Sequence, residues 1–425
     1  RQRQMCIRDR KRTRHMAIRR LLDDTAEVAL LVKPCFMMSP LSVSQFLPAT
    51  QMFDVVIFDE ASQVKPSDAI NCIYRAQQMI VAGDPRQLPP TSFFDLASED
   101  SEYGDDDVAP ADFESVLDAF LGSGLPLLPL RWHYRSQHES LITYSNYKFY
   151  EGSLLTFPGA KQEGGDVGVE LIAAGGVYRR GGARDNPIEA AKVVERVIFH
   201  RRANPGLTIG VIAFSSAQEN AIVAEFERQR LNIPEIDGLL GDSNRLDGFF
   251  VKNLENVQGD ERDIIIFSIG YGRDENGHFT EQLGPLGRNG GERRLNVAIT
   301  RARRRLEVVS SIAAGDFPGT SAALGIRHLQ RYLDFADRGM AALAEEVSVS
   351  QGDVESVFEE AVLSSLRRMG YDVVPQVGVA GFRIDLGIRH PSRPGEFVLG
   401  VECDGAAYHS SLVARDRDRL RQEVL

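Results

Sequence analysis

The sequence predicts an α/β fold built on parallel sheets, and three observations carry that prediction. Residues 53–59 (FDVVIFD) form a continuous apolar run that ends in acids, which is typical of a buried parallel strand. A second such run, residues 77–84 (QQMIVAGD), follows after a helix-length segment, so that the two form a βαβ unit. Three more apolar strands, separated by helical patterns such as residues 190–202, predict a second α/β domain; they lie at residues 207–216, 261–270 and 305–311.

The chain is long enough for two or three domains, since 425 residues exceed the roughly 150 of a typical one. A third, smaller α/β unit is expected at the end, where an amphipathic helix (354–371) precedes strand-like segments at 382–388 and 396–402. We therefore expect a first α/β domain over residues 1–124, a second over 125–315, a helical linker over 316–350 and the small unit over 351–425.

Composition excludes several classes of protein. A hydrophobic content of 43% with 26% charged residues is ordinary for a soluble globular protein. No apolar run reaches the ~18 residues of a membrane span, and the basic opening (1–15) lacks the apolar segment of a secretory leader. We interpret that opening as a disordered or artefactual leader. The four cysteines have no CxxC spacing, so neither a zinc site nor a disulfide framework is indicated, which favours the cytoplasm.

The net charge of −11 argues at first against nucleic acid as a partner. The average hides strong local bias, however, because residues 99–118 are rich in acids whereas residues 288–305 are rich in arginine. Binding depends on the local field in a groove, and not on the sum of all charges. Total charge therefore does not decide the matter.

Carboxylates follow the first predicted strand, and a polar turn follows the second. Asp59 at a strand tip can hold Mg²⁺ through water, and the adjacent Glu60 can orient and deprotonate an attacking water. After the next strand, residues 83–90 (GDPRQLPP) place the Gln87 amide near those carboxylates. A lone Asp-Glu pair is more often a strand end capped by solvated acids. The second turn is what favours a catalytic site.

Six segments, in order, are similar to the motifs of superfamily 1 helicases. DEAS (59–62) and GDPRQLPP resemble motifs II and III. The later matches are LRWHYRSQHESL (130–141) for motif IV, TIGVIAFSSAQENAI (208–222) for a strand-turn-helix, NVQGDERDIIIFS (256–268) for motif V and RRLNVAITRARRRLEVVSS (293–311) for motif VI. The resemblance, closest to the Upf-like 5′→3′ branch, implies two RecA-like P-loop NTPase domains that use ATP and Mg²⁺ on a single strand of DNA or RNA.

The resemblance also implies roles for particular residues. Arg135 would reach the γ-phosphate and Arg301 would act as an arginine finger, which is worth about a thousandfold or more in rate. Because Asp59 and Glu60 lie in one predicted domain and these arginines in the next, bound ATP is expected to draw the two domains together. Gly259 and Glu261 would contact the nucleotide, and the residues that would contact nucleic acid are Ser215, Ser216, Gln258 and Thr300.

One motif of that family is missing. No GxxxxGK followed by Ser or Thr occurs, so the loop that cradles the phosphates is absent. Residues 33–47 match the segment that precedes motif II in large bacterial helicases of this branch. We therefore expect a first domain truncated before residue 1, and a chain that by itself neither binds ATP well nor hydrolyses it.

The last segment carries carboxylates that favour a second chemistry. Asp385 and Glu402 lie on neighbouring strand-like segments, and with Glu359 on the helix they would form an oxygen-rich Mg²⁺ site able to activate water against a phosphodiester. This pattern resembles the PD-(D/E)XK nuclease fold, in the branch of the very-short-patch repair endonuclease. Asp404 stands where many relatives have a catalytic lysine, and His409 would supply acid or base chemistry instead. An inactive nuclease-like module, or simple solvated strand acids, is the alternative.

The chain stops at Leu425, before the strand expected to complete such a nuclease-like sheet, so we expect this domain to be incomplete as well. The favoured function is ATP-driven translocation and unwinding of DNA or RNA coupled to a nuclease-like tail, which suggests DNA processing, repair or defence. Two alternatives remain open. The chain is either a non-hydrolysing nucleic-acid-binding clamp, or a protein whose only active unit is a Mg²⁺-dependent endonuclease.

Overall fold

The computed structural model describes residues 16–90, 113–156, 159, 166–241, 245, 247–319, 321, 323–344, 357–378 and 383–403. The basic opening (1–15) and the acidic stretch interpreted as a surface loop (99–112) lie outside them. The chain divides into two compact units, Arg1–Leu128 and Pro129–Leu425. None of the described helices combines the length and apolar character that a membrane crossing needs.

The first unit contains the predicted βαβ pair. Its helices are α1 (Ile18–Val32), α2 (Pro40–Phe46), α3 (Pro66–Ile73) and α4 (Val116–Gly122), and its strands are β1 (Phe53–Phe58) and β2 (Ala76–Val81). The strands pair in parallel and α3 connects them, so the predicted unit is confirmed. A proline begins both α2 and α3, where its missing N–H leaves no hydrogen bond unmade.

Only one face of this pair of strands is buried among the described residues. Val56 and Phe58 pack into a core that α3 and α4 cover. The side chains that point the other way are well exposed, at 40% for Val55, 63% for Ile57 and 54% for Ile80. The strand predicted as buried is therefore buried on one face only, because alternate residues face opposite sides and the described helices cover one side.

The second unit is built on five strands that all run parallel in the order β3-β7-β6-β4-β5. They are β3 (Gly168–Ala173), β4 (Ile209–Ala213), β5 (Phe250–Asn253), β6 (Arg262–Ser268) and β7 (Ala302–Ser310). The helices are α5 (Ser140–Phe149), α6 (Pro187–Ala203), α7 (Ser216–Gln229), α8 (Glu235–Gly241), α9 (Gly291–Ile299), α10 (Leu324–Arg338) and α11 (Ala341–Ala344). The three strands predicted here are confirmed, whereas β3 and β5 were not predicted.

Helices cover both faces of this sheet, because alternate residues of its strands point to opposite sides. Ile264 and Ile266 of β6 share one core with α6, α7 and α8. Phe267 points to the other side, where its ring lies 6.4 Å from that of Tyr332 on α10. All of these strand residues are buried, as expected of a parallel sheet enclosed between helices.

The segment predicted as a linker is part of this unit. Helix α10 places eight of its residues in the interior. The hydroxyl of Tyr144 donates to the carbonyl oxygen of His328 at 2.9 Å, and the Tyr144 and Tyr332 rings lie 5.0 Å apart edge to face. A helix held by buried aromatic contacts is a layer of the domain, which differs from the linker that the sequence suggested.

The carboxy-terminal part forms a small antiparallel sheet of order β10-β9-β8 beside helix α12 (Val357–Arg368). Its strands are β8 (Val373–Val377), β9 (Ile384–Arg389) and β10 (Phe397–Val401). The helix and the last two strands were predicted, whereas β8 was not. A small core that includes Leu363 and Leu386 joins the helix to the sheet.

Candidate functional site

In the first unit, the polar residues of the two predicted motifs follow the carboxyl ends of β1 and β2. The N–H of Ala61 donates to the carbonyl oxygen of Ala82 at 2.9 Å, which ties the two turns together. Asp59 and Glu60 are both exposed at this edge. Glu60 has the left-handed backbone (φ 52°) that is uncommon for a residue other than glycine. Exposed carboxylates at the tip of a parallel strand fit Mg²⁺, which prefers oxygen ligands and keeps several waters.

Gly83 allows the two turns to approach this closely. A Cβ atom at position 83 would lie 3.1 Å from the backbone nitrogen of Ala61 and 3.2 Å from that of Ser62. After it, Gln87 donates from Nε2 to Asp84 Oδ2 at 3.1 Å. The amide of Gln87 is therefore held within its own turn, on the same edge as the carboxylates.

In the second unit, Arg135 and Glu261 meet in an ion pair. Arg135 Nε lies 2.8 Å from Glu261 Oε2, and each side chain is 39% exposed. Glu261 immediately precedes β6, and Arg135 also approaches the carbonyl oxygen of Thr300, just before β7. Residues from three separate motifs thus converge at the amino-terminal edge of the sheet.

The structure places Arg301 differently from Arg135. Its side chain is buried, at 4% exposure. Its Nε donates to the carbonyl oxygen of Val297 at 2.8 Å, and its Nη2 donates to Thr300 Oγ1 at 2.9 Å. The Thr300 hydroxyl in turn donates to Val297. In this structure both side chains hold the end of α9, so the phosphate and nucleic-acid roles predicted for them remain predictions.

Arg303 is a further charged residue at this edge that sequence reasoning did not identify. Its guanidinium lies 3.7 Å from Glu261 Oε1 and 3.1 Å from Asp263 Oδ1. The other oxygen of Asp263 accepts from the N–H and the hydroxyl of Thr208. A chain of alternating charges therefore runs from Arg135 through Glu261 to Arg303 and Asp263. The arginine-rich stretch was visible in the sequence, but nothing in it distinguished Arg303 from its neighbours.

Two predicted nucleic-acid contacts lie at the opposite, carboxyl-terminal edge. Ser215 is the N-cap of α7, where its hydroxyl accepts from the Gln218 N–H at 3.1 Å. Ser216 is exposed and accepts from Asn253 Nδ2 at 3.2 Å. A helix N-terminus presents unpaired N–H groups, which suits a phosphate.

Gln258 and Gly259 lie in the loop that runs from the end of β5 to the start of β6. Gly259 is exposed, with φ 86°, and a Cβ atom added there would have no atom within 4 Å. Gln258 is half-buried. The structure thus separates the predicted contact residues between the two edges of the sheet, with this loop passing from one to the other.

A buried polar network behind Ser215 also escaped sequence reasoning. Glu189 of α6 is fully buried, and its carboxylate accepts from the hydroxyls of Ser268 at 2.8 Å and Ser311 at 2.9 Å and from the Gly270 N–H. Burial raises the pKa of Glu189 to about 7 although these hydrogen bonds oppose the rise. The network holds the chain in place where β6 and β7 end.

Gln218 connects that network to α7. Its Oε1 accepts from the Asn186 N–H at 2.8 Å, and its Nε2 donates to the Asn186 carbonyl at 3.2 Å and to Ser268 Oγ at 3.0 Å. Because Gln218 is also bound to Ser215, the polar turn is fixed to the interior of the domain. A lone glutamine and a lone glutamate on helices carry no signal of this kind in the sequence.

In the carboxy-terminal sheet, Asp385 accepts the Cys403 N–H at 2.6 Å on Oδ2. Val401 pairs with Leu386, so Glu402 follows β10 beside Asp385. Glu359 is buried on α12 and accepts from Gln376 Nε2 at 3.2 Å. Across the described ranges, no three His, Cys, Asp or Glu residues are grouped so that they could hold a metal ion. Asp404 and His409 lie outside the described residues, and the Mg²⁺ site remains a prediction.

The parallel sheets of the two units carry the helicase-like motifs, and a small antiparallel sheet follows them. These features define a helicase-like core with an appended domain. Comparison with known proteins agrees. Residues 37–94 match the AAA domain model AAA_11 and residues 113–313 match the AAA domain model AAA_12. Residues 358–425 match the model REase_MTES_1575. The chain therefore carries the AAA domains of Upf1-like superfamily 1 helicases, followed by a restriction-endonuclease-like domain.

Three curated relatives illustrate the similarity. An uncharacterized ATP-dependent helicase of Mycoplasma genitalium is 35% identical over 73% of this chain and 28% of its own length. Its homolog in Mycoplasma pneumoniae is 37% identical over 68% of this chain and 26% of its own length. The probable helicase MAGATAMA 3 of Arabidopsis thaliana is 29% identical over 68% of this chain and 34% of its own length. The chain spans about a quarter to a third of the length of these relatives.

Proposed function

We propose that the chain takes part in ATP-driven translocation along a single strand of DNA or RNA, and so in unwinding it. The observation that carries the proposal is the ion pair between Arg135 and Glu261 beside Thr300, which joins residues of three predicted motifs. The relatives named as ATP-dependent helicases support it. Action on nucleic acid in a reducing cytoplasm is consistent with the free cysteines Cys35, Cys72 and Cys403.

The residues divide the chemistry between them. Asp59 would hold Mg²⁺, and Glu60 would orient and deprotonate the attacking water. Arg135 and Arg301 would neutralise charge that develops on the γ-phosphate, with Gln87, Gly259 and Glu261 in supporting positions. When bound, ATP supplies the phosphoryl group that is transferred, and Mg²⁺ supplies positive charge that screens the phosphates.

The ion pair of Arg135 with Glu261 is weak enough for a bound triphosphate to replace Glu261. An ion pair with both side chains 39% exposed contributes no more than about 1 kcal/mol. A triphosphate carries more charge than the Glu261 carboxylate, so it can take the Arg135 guanidinium from it. Release of Glu261 would then change the contacts of the loop that contains Gln258. That loop runs toward the carboxyl-terminal edge of the sheet, where Ser215 and Ser216 lie.

The test is a strand-displacement assay with ATP, on the protein in a form that carries a phosphate-binding loop. We expect Arg135→Ala to lower ATP hydrolysis and unwinding by at least about a hundredfold, because an arginine at the γ-phosphate supplies about 10³ or more. Arg228→Ala is the matched control, since that arginine is 69% exposed and pairs within its own helix. ATP-dependent unwinding that survives Arg135→Ala would sink the proposed role. Strand binding without any ATP-dependent unwinding by the wild type would instead support a clamp.

We infer a second activity, Mg²⁺-dependent cleavage of a phosphodiester, for the carboxy-terminal domain. The neighbouring positions of Asp385 and Glu402 support it, together with the restriction-endonuclease-like match. Nicking of supercoiled plasmid should be lost in Asp385→Asn and retained in Asp372→Asn, an acid whose side chain is 75% exposed. Equal nicking by both variants would rule out Asp385 as a metal ligand.

A further inference from the structure

A short exposed loop follows β3 at the same edge as Ser215, and neither the motifs nor the proposed chemistry uses it. Residues 177–184 read VYRRGGAR, an aromatic side chain among arginines. We call this segment the arginine loop. Gly181 and Gly182 face open space, with no atom within 4 Å of where a Cβ would stand. The loop is therefore accessible to a ligand.

The arginine loop is held in one shape by its own contacts. Arg179 donates from Nε and Nη2 to the two carboxylate oxygens of Asp185, each at 2.6 Å. The N–H groups of Gly182 and Arg184 both donate to the Arg179 carbonyl oxygen. Arg184 adopts a left-handed backbone (φ 57°), a conformation that costs an L-residue free energy. A loop closed in this way presents its side chains without further ordering.

Tyr178 joins the arginine loop to the proposed nucleic-acid edge. Its N–H donates to the carbonyl oxygen of Arg273 at 2.9 Å, in the chain that follows β6. Its ring centroid lies 5.6 Å from that of Tyr271. Tyr271 is buried, which raises the pKa of its phenol, and the Ser215 side chain is close enough to oppose that rise. Tyr178 is only partly buried, so it remains partly accessible to solvent.

The charges around Tyr178 suit a polyanion. Arg180 and Arg184 are close enough to act on its phenol, with Asp185 as the nearby acid. Arg180 is engaged by Asp274 at 3.4 Å and by the carbonyl oxygen of His278. Arg184 is exposed, and it forms no ion pair with any residue in the described ranges. One exposed arginine is thus available for a phosphate close to a partly exposed tyrosine.

We propose that the arginine loop is part of the nucleic-acid site, in which Tyr178 stacks on a base of a single strand and Arg184 binds a neighbouring phosphate. Aromatic rings beside basic residues are the usual means by which proteins hold single strands without reading sequence. The Glu189 and Gln218 network fixes the Tyr271 and Ser215 side of the site from behind. This inference rests on the proposed action on nucleic acid.

The experiment measures binding of a fluorescein-labelled oligothymidylate to the full chain by anisotropy at low salt. Tyr178→Ala should weaken binding about tenfold, because stacking on one base is worth a factor of this order. Tyr178→Phe keeps the ring and should stay within about twofold of wild type. Tyr371→Ala is the matched control, since that tyrosine is 51% exposed in the carboxy-terminal domain, and it should change nothing.

Ser216→Asp separates this inference from the function on which it rests. If that variant weakens binding and Tyr178→Ala does not, the arginine loop has no role and the nucleic-acid edge stands. If the wild type fails to bind the oligonucleotide, both ideas fall. Photocrosslinking to 5-iodouracil in the oligonucleotide gives a second readout that does not depend on affinity. The crosslinked peptide should contain Tyr178, and crosslinks confined to other peptides would overturn the proposal.

Discussion

Glu307 is a single buried carboxylate that binds three other side chains. It accepts from Arg196 at 2.7 and 2.9 Å, from His200 at 2.8 Å and from Arg305 at 2.8 Å, and its side chain is wholly inaccessible. We expect Glu307→Gln to lower the free energy of unfolding by about 3 kcal/mol or more, because it takes away the buried carboxylate that the Arg196 and Arg305 guanidinium groups share. Urea denaturation at pH 7 measures the loss.

The same residue predicts a pH dependence. Burial alone would raise the pKa of the Glu307 carboxyl, but hydrogen bonds from Arg196, His200 and Arg305 hold that pKa well below its usual range. A depressed pKa contributes stability that is fully present above about pH 4.5 and is lost as the pH falls toward the folded-state value. The gap in stability between wild type and Glu307→Gln should therefore shrink below pH 4.5. Glu227→Gln, at a side chain 55% exposed that pairs with Arg230, is the control, and a gap independent of pH would contradict the assignment.

How much of a residue's position and contacts could be predicted from the sequence differs from one residue to the next. The resemblance between motifs predicted that Arg135 and Glu261 both serve the nucleotide, and the structure places the two side chains in contact. The burial of Arg301 could not be read in this way, since its position depends on the carbonyl of Val297 at the end of α9. Glu189 was invisible for the same reason. Its partners come from three different segments that only the fold brings together.

At the scale of elements, Gly270 determines how the chain leaves β6. It has φ 72°, and a Cβ there would lie 2.7 Å from Cγ of the Gln218 side chain. We expect Gly270→Ala to destabilise the protein by roughly 2 kcal/mol or more, because backbone strain and a clash with a buried residue act together. Thermal or urea unfolding measures the change.

Gly277 supplies the matched control for this prediction. It has a similar φ of 78°, but no atom lies within 4 Å of a Cβ built at that position. Gly277→Ala should therefore cost only the strain of the left-handed backbone, about 1 kcal/mol. Equal losses from the two substitutions would show that contact with Gln218 does not matter at Gly270.

The elements that the sequence predicted are those whose pattern is long and uniform. Strands β4, β6 and β7 lie within continuous apolar runs because helices cover both faces of their sheet. Strand β5 has only four residues and includes Lys252, and β8 contains Pro375 beside a left-handed Gln376 (φ 52°). Short, polar or proline-containing segments carry little periodic signal. Tertiary pairing, and not local pattern, makes them strands.

At the scale of the whole molecule, a net charge of −11 and a proposed nucleic-acid partner have to be reconciled. Most of the arginines that the structure describes in the second unit are engaged by carboxylates, as Arg179 is by Asp185 and Arg273 by Asp316. A nucleic-acid strand therefore meets the electrostatic field of a few arginines and of helix N-terminal N–H groups. The rest of the molecule, with its net negative charge, repels polyanions. Such a surface makes few phosphate contacts, and its affinity should be modest and sensitive to salt.

This argument predicts the salt dependence of binding. Each phosphate neutralised on a single strand changes the slope of log K against log salt by about −0.7, so two to four contacts give a slope of roughly −1.5 to −3. Anisotropy titrations of an oligothymidylate between about 50 and 200 mM salt, the range over which such slopes are resolved, measure it. Removing Arg184 with Arg184→Ala should make the slope less steep by about 0.7, whereas Arg228→Ala should leave it unchanged because Glu225 already engages that side chain. Affinity that does not vary with salt would mean that the strand is not held through its phosphates, and a slope far steeper than about −3 would mean that the basic surface extends well beyond the arginine loop.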